Sequence, residues 1–317
     1  MIIIKSGIIK RRGLIMEDKW LEQLKEEKNK AVRWDILNMI LAIGALLIAQ
    51  LIGNSIIKLG LQLMPSLYSY LPLLLGINLI INASLMIFLI YLSVKCIEGK
   101  GLTSLGLIFS HKTIQSYGKG ILTGTMMLLV VVAIVALGGG ISFEIRGIDP
   151  SQILSFGIVI LAWMIQGASE EILIRGYLLP RIGTRRGFAT GIVVSSVCFG
   201  MLHLFNSGSS VIAILNISLT GIFLALYTLR TGNLWIACGW HTAWNFVQGN
   251  ILGLNVSGNP IGVTGELIRG SMESRNTLLT GGEFGIEASL ATTLVMLAAI
   301  IINLFWYTEE RVEETSR

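Results

Sequence analysis

The sequence predicts an all-α polytopic membrane protein with about eight transmembrane helices that enclose a polar cavity within the membrane. Hydrophobic residues make up 53% of the 317 residues and charged residues only 14%, where about 25% is usual in soluble domains. The apolar residues form eight runs, each long enough to cross a bilayer core of about 30 Å. A few of these runs contain acids, histidines and an arginine, which predicts polar chemistry inside the membrane.

The eight apolar runs follow one another along the chain, separated by short stretches rich in Gly, Pro, Ser or charged residues. This arrangement is typical of membrane-spanning helices joined by turns. The predicted spans are residues 36–57, 73–94, 120–139, 152–180, 188–205, 211–229, 234–252 and 287–307. Only residues 206–210 separate the fifth span from the sixth, so this break is a candidate for irregular backbone inside the protein at membrane depth.

The polar ends of the chain define the predicted domain organisation. Residues 1–35 form a cytoplasmic N-terminal segment, residues 36–307 the membrane domain and residues 308–317 a cytoplasmic tail. Residues 17–33 are rich in Glu and Lys at helical spacing, which predicts a solvated or membrane-surface helix. Residues 1–15 place apolar residues before a basic cluster, the reverse of a secretory signal, and Met16 is a candidate for the true start of synthesis.

Positive charge is distributed unequally over the two sides of the predicted membrane domain. The termini and alternate loops on one side carry 19 Lys and Arg residues, whereas the loops on the other side carry 4. The positive-inside rule therefore predicts that both termini of this multi-pass protein are on the cytoplasmic side of the cell membrane. The net charge of +5 follows from this bias, and because no nucleic-acid-binding module is visible, we expect membrane lipid and not nucleic acid as a partner.

The fourth span contains two adjacent acids and an arginine, Glu170, Glu171 and Arg175, in a run that is otherwise apolar. Each charged side chain costs about 2.5–3.5 kcal/mol at a bilayer centre, so these residues are hard to explain in a passive anchor. Glu171 and Arg175 are four residues apart, which predicts an ion pair that supports the site. Glu170 is rotated by about 100° from Glu171 and is free to act. The alternative is a purely structural ion pair beside one protonated acid.

Two of the three histidines also lie in predicted spans. His203 ends the fifth span, one turn after Phe199, which either packs on the imidazole ring or is an ordinary core residue. His241 and Asn245 are four residues apart in the seventh span, so both can point at one small volume. A single buried histidine is more often an ordinary core residue than a catalyst. An acid, two imidazoles and an amide on three spans, however, predict one polar site.

Three motifs occur in order on separate spans: Glu170-Glu171-x-x-x-Arg175, Phe199-x-x-x-His203 and His241-x-x-x-Asn245. This series resembles the CPBP family, the CAAX prenyl proteases and bacteriocin-processing enzymes also called the Abi family. The resemblance covers about residues 104–307 and includes Gly239-Trp240-His241 and Gly281-Gly282-Glu283-Phe284-Gly285-Ile286-Glu287.

This resemblance implies an intramembrane endopeptidase of eight helices. By the resemblance, Glu170 and His203 activate the attacking water, and His241 and Asn245 hold the developing oxyanion. Glu171 and Arg175, with Phe199, support the site. No cofactor is required by this reading, but zinc is an alternative because Glu170, His203 and His241 could furnish three ligands and leave a fourth position for water.

The predicted function is therefore hydrolysis of a peptide bond in a membrane-embedded or lipid-modified peptide or protein. Processing of a CAAX motif and maturation of, or immunity to, a bacteriocin are both compatible with this prediction, and the expected partner is a hydrophobic or prenylated substrate. A non-catalytic immunity protein that binds a peptide without cutting it is one alternative. A proton-coupled transporter is another, because intramembrane acids and histidines also form proton relays. Residues 253–286, rich in Gly, Ser and Asn, are either a flexible cover or a simple loop.

Overall fold

The computed structural model describes residues 33–147, 149–261 and 264–315. The candidate start at Met16 lies outside these residues, as does all of the helix predicted over residues 17–33 except Arg33. The described part of the chain is almost entirely helical and contains one small sheet.

Nine helices of eight residues or more form the body of the described part. Their bounds are α1 Arg33–Leu63, α2 Leu71–Ser93, α3 Thr113–Leu137, α4 Ile153–Glu171, α5 Leu179–Arg186, α6 Phe188–Met201, α7 Val211–Thr231, α8 Leu234–Phe246 and α9 Leu290–Thr315. Three π-helical segments extend α2, α4 and α8: Val94–Glu98, Ile172–Leu178 and Val247–Ile251. Shorter turns are Pro65–Tyr70, Leu102–Leu105, Pro150–Gln152, Thr277–Thr280, Gly282–Phe284 and Ile286–Ala288.

The helices confirm the predicted all-α membrane fold. Five helical stretches in the described residues are long and apolar enough to cross a membrane: Asp35–Leu63, Pro65–Glu98, Thr113–Leu137, Pro150–Arg186 and Val211–Thr231. Two shorter apolar helices, Phe188–Met201 and Leu290–Phe305, coincide with the fifth and eighth predicted spans. The seventh corresponds to α8, whose 13 residues are nearly all buried inside the protein.

The eighth predicted span begins three residues too early. Gly285 has a φ of 106°, and Ile286–Ala288 form a 3₁₀ turn, so the backbone is not yet α-helical there. Ser289 is extended, and its Oγ accepts a hydrogen bond from the backbone N–H of Thr292, as expected of a helix N-cap. Helix α9 therefore starts at Leu290, and Glu287 lies in the turn before the helix instead of within the span.

The break between α6 and α7 also differs from the prediction. Helix α6 ends at Met201, four residues before the predicted end at 205, and residues 202–210 form consecutive turns. The loop between α8 and α9 covers this break, because Asn206 Nδ2 donates to the Ser257 carbonyl oxygen over 2.9 Å. A Cβ on Gly208 would collide with the backbone of Phe284. The loop over residues 253–286 is therefore packed against the helices in its described parts.

A two-stranded antiparallel sheet was not predicted. Strand β1, Ile141–Ile145, follows α3, and strand β2, Ile268–Met272, lies in the loop between α8 and α9. Phe143 faces Gly270 in the centre of the register. The sheet joins these two loops at the same end of the helices.

Helices α3 and α8 make the most extensive helix–helix contact in the described structure. Glycines allow this close approach: a Cβ on Gly120 or Gly124 would collide with backbone atoms of Ile236 or Trp240, and one on Gly239 with the carbonyl oxygen of Tyr117. Small residues at helix crossings let backbones approach closely in membranes, where the hydrophobic effect does not drive helix association. This contact fixes α8, which carries His241 and Asn245.

Gly239→Ala is expected to destabilise the protein by about 1–3 kcal/mol, because the added methyl group forces α8 away from α3. Gly157→Ala on α4 is the matched control, since a Cβ there meets nothing within 4 Å. Thermal unfolding of both purified variants in detergent measures the effect. Equal melting temperatures for the two variants would contradict the proposed role of this contact.

Candidate active site

The acids on α4 face α8 because these two helices are held together by small and polar residues. Gly167 lets the α4 backbone approach Thr242, whose N–H would lie 3.0 Å from a Cβ at that position. Thr242 Oγ1 donates to the Trp163 carbonyl oxygen over 3.2 Å. Trp163 Nε1 donates to Asn250 Oδ1 over 2.8 Å. These bonds satisfy polar groups that would otherwise be unpaired in an apolar environment.

The ion pair expected between Glu171 and Arg175 is present. Arg175 Nη1 lies 2.9 Å from Glu171 Oε1, and both side chains have 0% exposure. The π-helical segment begins directly after Glu171, and all seven of its residues are buried. Arg175 Nη2 also donates to the Gly221 carbonyl oxygen on α7 over 3.3 Å. Arg175 therefore joins α7 to the carboxylate while Glu171 neutralises its charge.

His241 lies between the two acids. Its Nδ1 is 2.8 Å from Glu171 Oε1, and its Nε2 is 3.6 Å from Glu170 Oε2. Because a carboxylate accepts hydrogen bonds, Nδ1 carries a proton, and Nε2 can donate only when the ring is doubly protonated and positively charged. The geometry thus allows His241 to be a positively charged hydrogen-bond donor.

Glu170 has one engaged oxygen and one free oxygen. Oε1 accepts a hydrogen bond from Gln166 Nε2 over 2.6 Å. Oε2 is buried and has no hydrogen-bond partner in the described structure. A buried carboxylate oxygen without a hydrogen bond is costly, which makes it available to a water molecule or a substrate group.

His203 and Phe199 meet at the end of α6. His203 Nδ1 lies 2.9 Å from the Phe199 carbonyl oxygen, which can only accept, so Nδ1 carries the proton and Nε2 of the neutral ring is a base. The two rings contact edge to face with centroids 5.1 Å apart, so Phe199 does pack on His203. Phe199 also lies 4.6 Å beneath the Arg175 guanidinium and 6.1 Å from the His241 ring. Phe199 is therefore an apolar side chain that packs among the three charged or polar side chains of Arg175, His203 and His241.

Gln166 was not among the residues predicted from the sequence. Its Oε1 accepts a hydrogen bond from Asn245 Nδ2 over 3.0 Å, while its Nε2 donates to Glu170. An ionised carboxylate only accepts hydrogen bonds, so Glu170 fixes the orientation of the Gln166 amide, which in turn fixes that of Asn245. Asn245 keeps a second N–H on Nδ2 for another partner. The only signal in the sequence was the spacing of Gln166 one helical turn before Glu170.

The predicted residues border one cavity of about 650 Å³. Glu170, His203, His241 and Asn245 line it together with Gln166. Residues of α1 and α2, among them Gln50 and Asn78, and the loop residues Val256–Ile261 form other parts of its wall. Much of the remaining lining is apolar, as in sites that bury a hydrophobic ligand. The volume is that of a few amino-acid residues of an extended peptide.

The metal alternative can be tested against this geometry. In the described part of the chain, no group of three or more His, Cys, Asp and Glu side chains is arranged to hold a metal ion. The Nδ1 atoms of His241 and His203 are bonded to Glu171 and to a backbone carbonyl, which leaves Nε2 of each ring as the nitrogen that could bind a metal. Glu170, His203 and His241 line one cavity, but in the described residues they are not close enough together to form a group of three metal ligands.

The central part of the chain is similar to a known protein family. Residues 152–247 match the family model described as type II CAAX prenyl endopeptidase Rce1-like. The Rce1-like segment runs from α4 to the end of α8 and contains all the predicted site residues. The match confirms the resemblance to the CPBP family and supports a membrane protease as the general kind of protein. No curated protein and no solved structure matches the chain.

Arg175→Ala is expected to reduce the yield of folded protein, because it leaves the Glu171 carboxylate buried without its cation. Loss of one partner of a buried ion pair typically costs about 3–5 kcal/mol. Arg186→Ala is the matched control, since Arg186 is 45% exposed and its partner Asp35 also pairs with Arg185. Monodisperse protein recovered per cell, measured by size-exclusion chromatography, compares the two. A normal yield of the Arg175 variant would contradict a supporting role for the ion pair.

Proposed function

We propose that this protein is an intramembrane endopeptidase that hydrolyses a peptide bond in a membrane-embedded or lipid-modified peptide. The single observation that carries the proposal is the free Oε2 of Glu170, which borders the cavity and lies 3.6 Å from His241 Nε2. An acid with one fixed and one free oxygen is suited to take a proton from water. The family match over residues 152–247 supports the same general activity.

The proposed reaction uses one water molecule and no covalent intermediate with the enzyme. Glu170 takes a proton from water held with the help of the unprotonated Nε2 of His203, and the oxygen attacks the carbonyl carbon of the scissile bond. Charge then develops on the carbonyl oxygen, where His241 Nε2–H and the second Nδ2–H of Asn245 can donate to it. The C–N bond breaks as Glu170 returns its proton to the leaving nitrogen. The products are a carboxylic acid, which keeps the second proton of the water, and an amine.

The buried polar groups of the site would stabilise the negative charge that develops on the carbonyl oxygen. Donors fixed before the reaction stabilise an oxyanion without reorganising, and loss of one donor typically costs about 2.7–4 kcal/mol of barrier. Glu171 fixes His241, and Gln166 fixes Asn245. Both proposed donors are therefore oriented by side chains on α4, the helix that carries the proposed base.

The proposed substrate is a hydrophobic peptide, with or without a prenyl group. An apolar cavity of about 650 Å³ can accept either an extended peptide segment or part of an isoprenoid chain. The excess of Lys and Arg on one side of the predicted spans supports a further proposal, that both termini are cytoplasmic.

Glu170→Gln is expected to slow cleavage by about 10²–10⁴-fold at normal protein yield, because the amide cannot act as a base. Purified wild type and variant in detergent are compared on a pool of prenylated and unmodified hydrophobic peptides, with products identified by mass spectrometry. Exposed Glu283→Gln is the control. A zinc chelator should leave the wild-type rate unchanged. Retained cleavage by the Glu170 variant, or chelator sensitivity reversed by zinc, would contradict this mechanism.

Gln166→Met is expected to lower kcat by about 10–100-fold with little change in KM, because Glu170 and Asn245 lose the amide that orients them. Gln50→Met is the matched control, since Gln50 lines the same cavity from α1. Steady-state kinetics on the best peptide of the pool separate the two parameters. A rise in KM alone would show that Gln166 binds substrate instead of orienting the site.

A further inference from the structure

A buried acid outside the Rce1-like segment has no part in the reaction proposed above. Glu287 lies in the Ile286–Ala288 turn before α9, and only 4% of it is exposed. Among the ion pairs of the described residues, none joins Glu287 to Lys or Arg. Burial raises the pKa of Glu287 to about 7, although hydrogen bonds from Ser257 and Gln248 act in the opposite direction. An acid kept in such a place needs a structural or functional reason.

The carboxylate of Glu287 holds one turn of the loop between α8 and α9. This turn, Val256–Asn259, is called the Ser257 turn below. Oε2 accepts from the Ser257 backbone N–H over 2.6 Å and from Gln248 Nε2 over 3.0 Å, and Oε1 accepts from Ser257 Oγ over 3.0 Å. Three donors converge on this one side chain. A carboxylate can accept all three at once, whereas the amide of glutamine has a single acceptor oxygen.

The turn held by Glu287 is strained. Ser257 has a φ of +46° and is the only non-glycine residue with positive φ in the described chain. A residue with a side chain is rarely stable in this conformation unless its surroundings impose it. Further bonds from both sides impose it here: Asn206 Nδ2 donates to the Ser257 carbonyl oxygen, and Gly258 N–H donates to the Phe284 carbonyl oxygen.

This turn forms part of the active-site wall. Val256, Ser257 and Asn259 line the main cavity. On its other side, Ser257 and Glu287 border a small pocket of about 30 Å³ that His203, His241 and Asn245 also line. A cavity of about 10–15 Å³ or more can hold a water molecule, so this pocket is large enough for one. The Ser257 turn therefore lines both the main cavity and the small pocket beside the proposed catalytic residues.

We propose that Glu287 is a positioning residue of the peptidase: it holds the Ser257 turn in its strained conformation as the wall against which a bound peptide lies beside His203 and Asn245. The proposal rests on the proposed function. Its substrate is the same hydrophobic peptide, bound in an extended form along the turn. Strained backbone is commonly kept at sites where position matters for function.

The first experiment compares Glu287→Gln with Glu283→Gln, an exposed acid four residues earlier in the same loop. Glu287→Gln is expected to raise the peptide KM by about tenfold, with kcat within about twofold of wild type. Glu283→Gln should match wild type in both constants. A Glu287 variant that behaves like the Glu283 variant, or that loses kcat at unchanged KM, would overturn the proposal.

Backbone substitutions at Ser257 test the same wall without altering the acid. Ser257→Gly keeps the N–H that donates to Glu287, and glycine adopts positive φ readily, so a KM near the wild-type value is expected. Ser257→Val introduces a β-branched residue that strongly disfavours this backbone conformation, so KM should rise as in Glu287→Gln. Equal KM values for the Gly and Val variants would show that the conformation of the turn does not matter for substrate binding.

Amide hydrogen exchange tests the turn independently of catalysis. The peptide that contains Ser257 should exchange at least about tenfold faster in Glu287→Gln than in wild type or Glu283→Gln, because the protected N–H loses its carboxylate. Faster exchange with no peptide cleavage by wild type would mean that the proposed function fails while the turn is held as described. Unchanged exchange together with normal wild-type cleavage would overturn the inference on Glu287 alone.

Discussion

A single buried carboxylate oxygen, Oε1 of Glu171, accepts hydrogen bonds from both Arg175 and His241. In a low-dielectric interior an isolated charge is very costly, so the arginine, the acid and the imidazole are stable only together. The shared oxygen joins α4 to α8 and sets which nitrogen of His241 faces Glu170. The position of His241 Nε2 beside Glu170 Oε2, which has no hydrogen-bond partner, therefore depends on this bond.

The side chains around Glu171 Oε1 are buried between closely packed helices. The π-helical segment after Glu171 buries all seven of its residues and places Arg175 under α7 and over Phe199. π-Helical turns are rare and are often found at functional sites, where the extra residue redirects side chains. Glycine contacts fix α8 on the opposite side. Most of the site is thus carried by helices, whereas His203 lies in the turns after α6 and another wall is supplied by the loop between α8 and α9.

The sequence predicted most where the spacing of residues along a helix and the energetic cost of burying polar side chains indicate the same site. The i,i+4 relation of Glu171 and Arg175 predicted their ion pair. The positions of the two histidines in apolar runs predicted neighbours that the fold brings to one cavity. Gln166 was not predicted, because an uncharged amide in an apolar helix has no clear free-energy cost of burial that would mark it as a site residue. The Ser257 turn was not predicted for a different reason: positive φ is expected of glycine, and the bonds that impose it come from residues distant in sequence. Strands β1 and β2 are more than 120 residues apart, so local periodicity could not pair them.

The close contact of α3 with α8 determines which part of the chain could be exchanged between related proteins. The Rce1-like segment begins after α3, yet α8 within it is shaped by glycines to fit the α3 backbone. Glu287, which supports a wall of the cavity, also lies beyond the segment. The region recognised by family comparison therefore depends on residues outside it, both for the packing of α8 and for one wall of the cavity. We expect an exchange of that region between proteins to require the flanking helices as well.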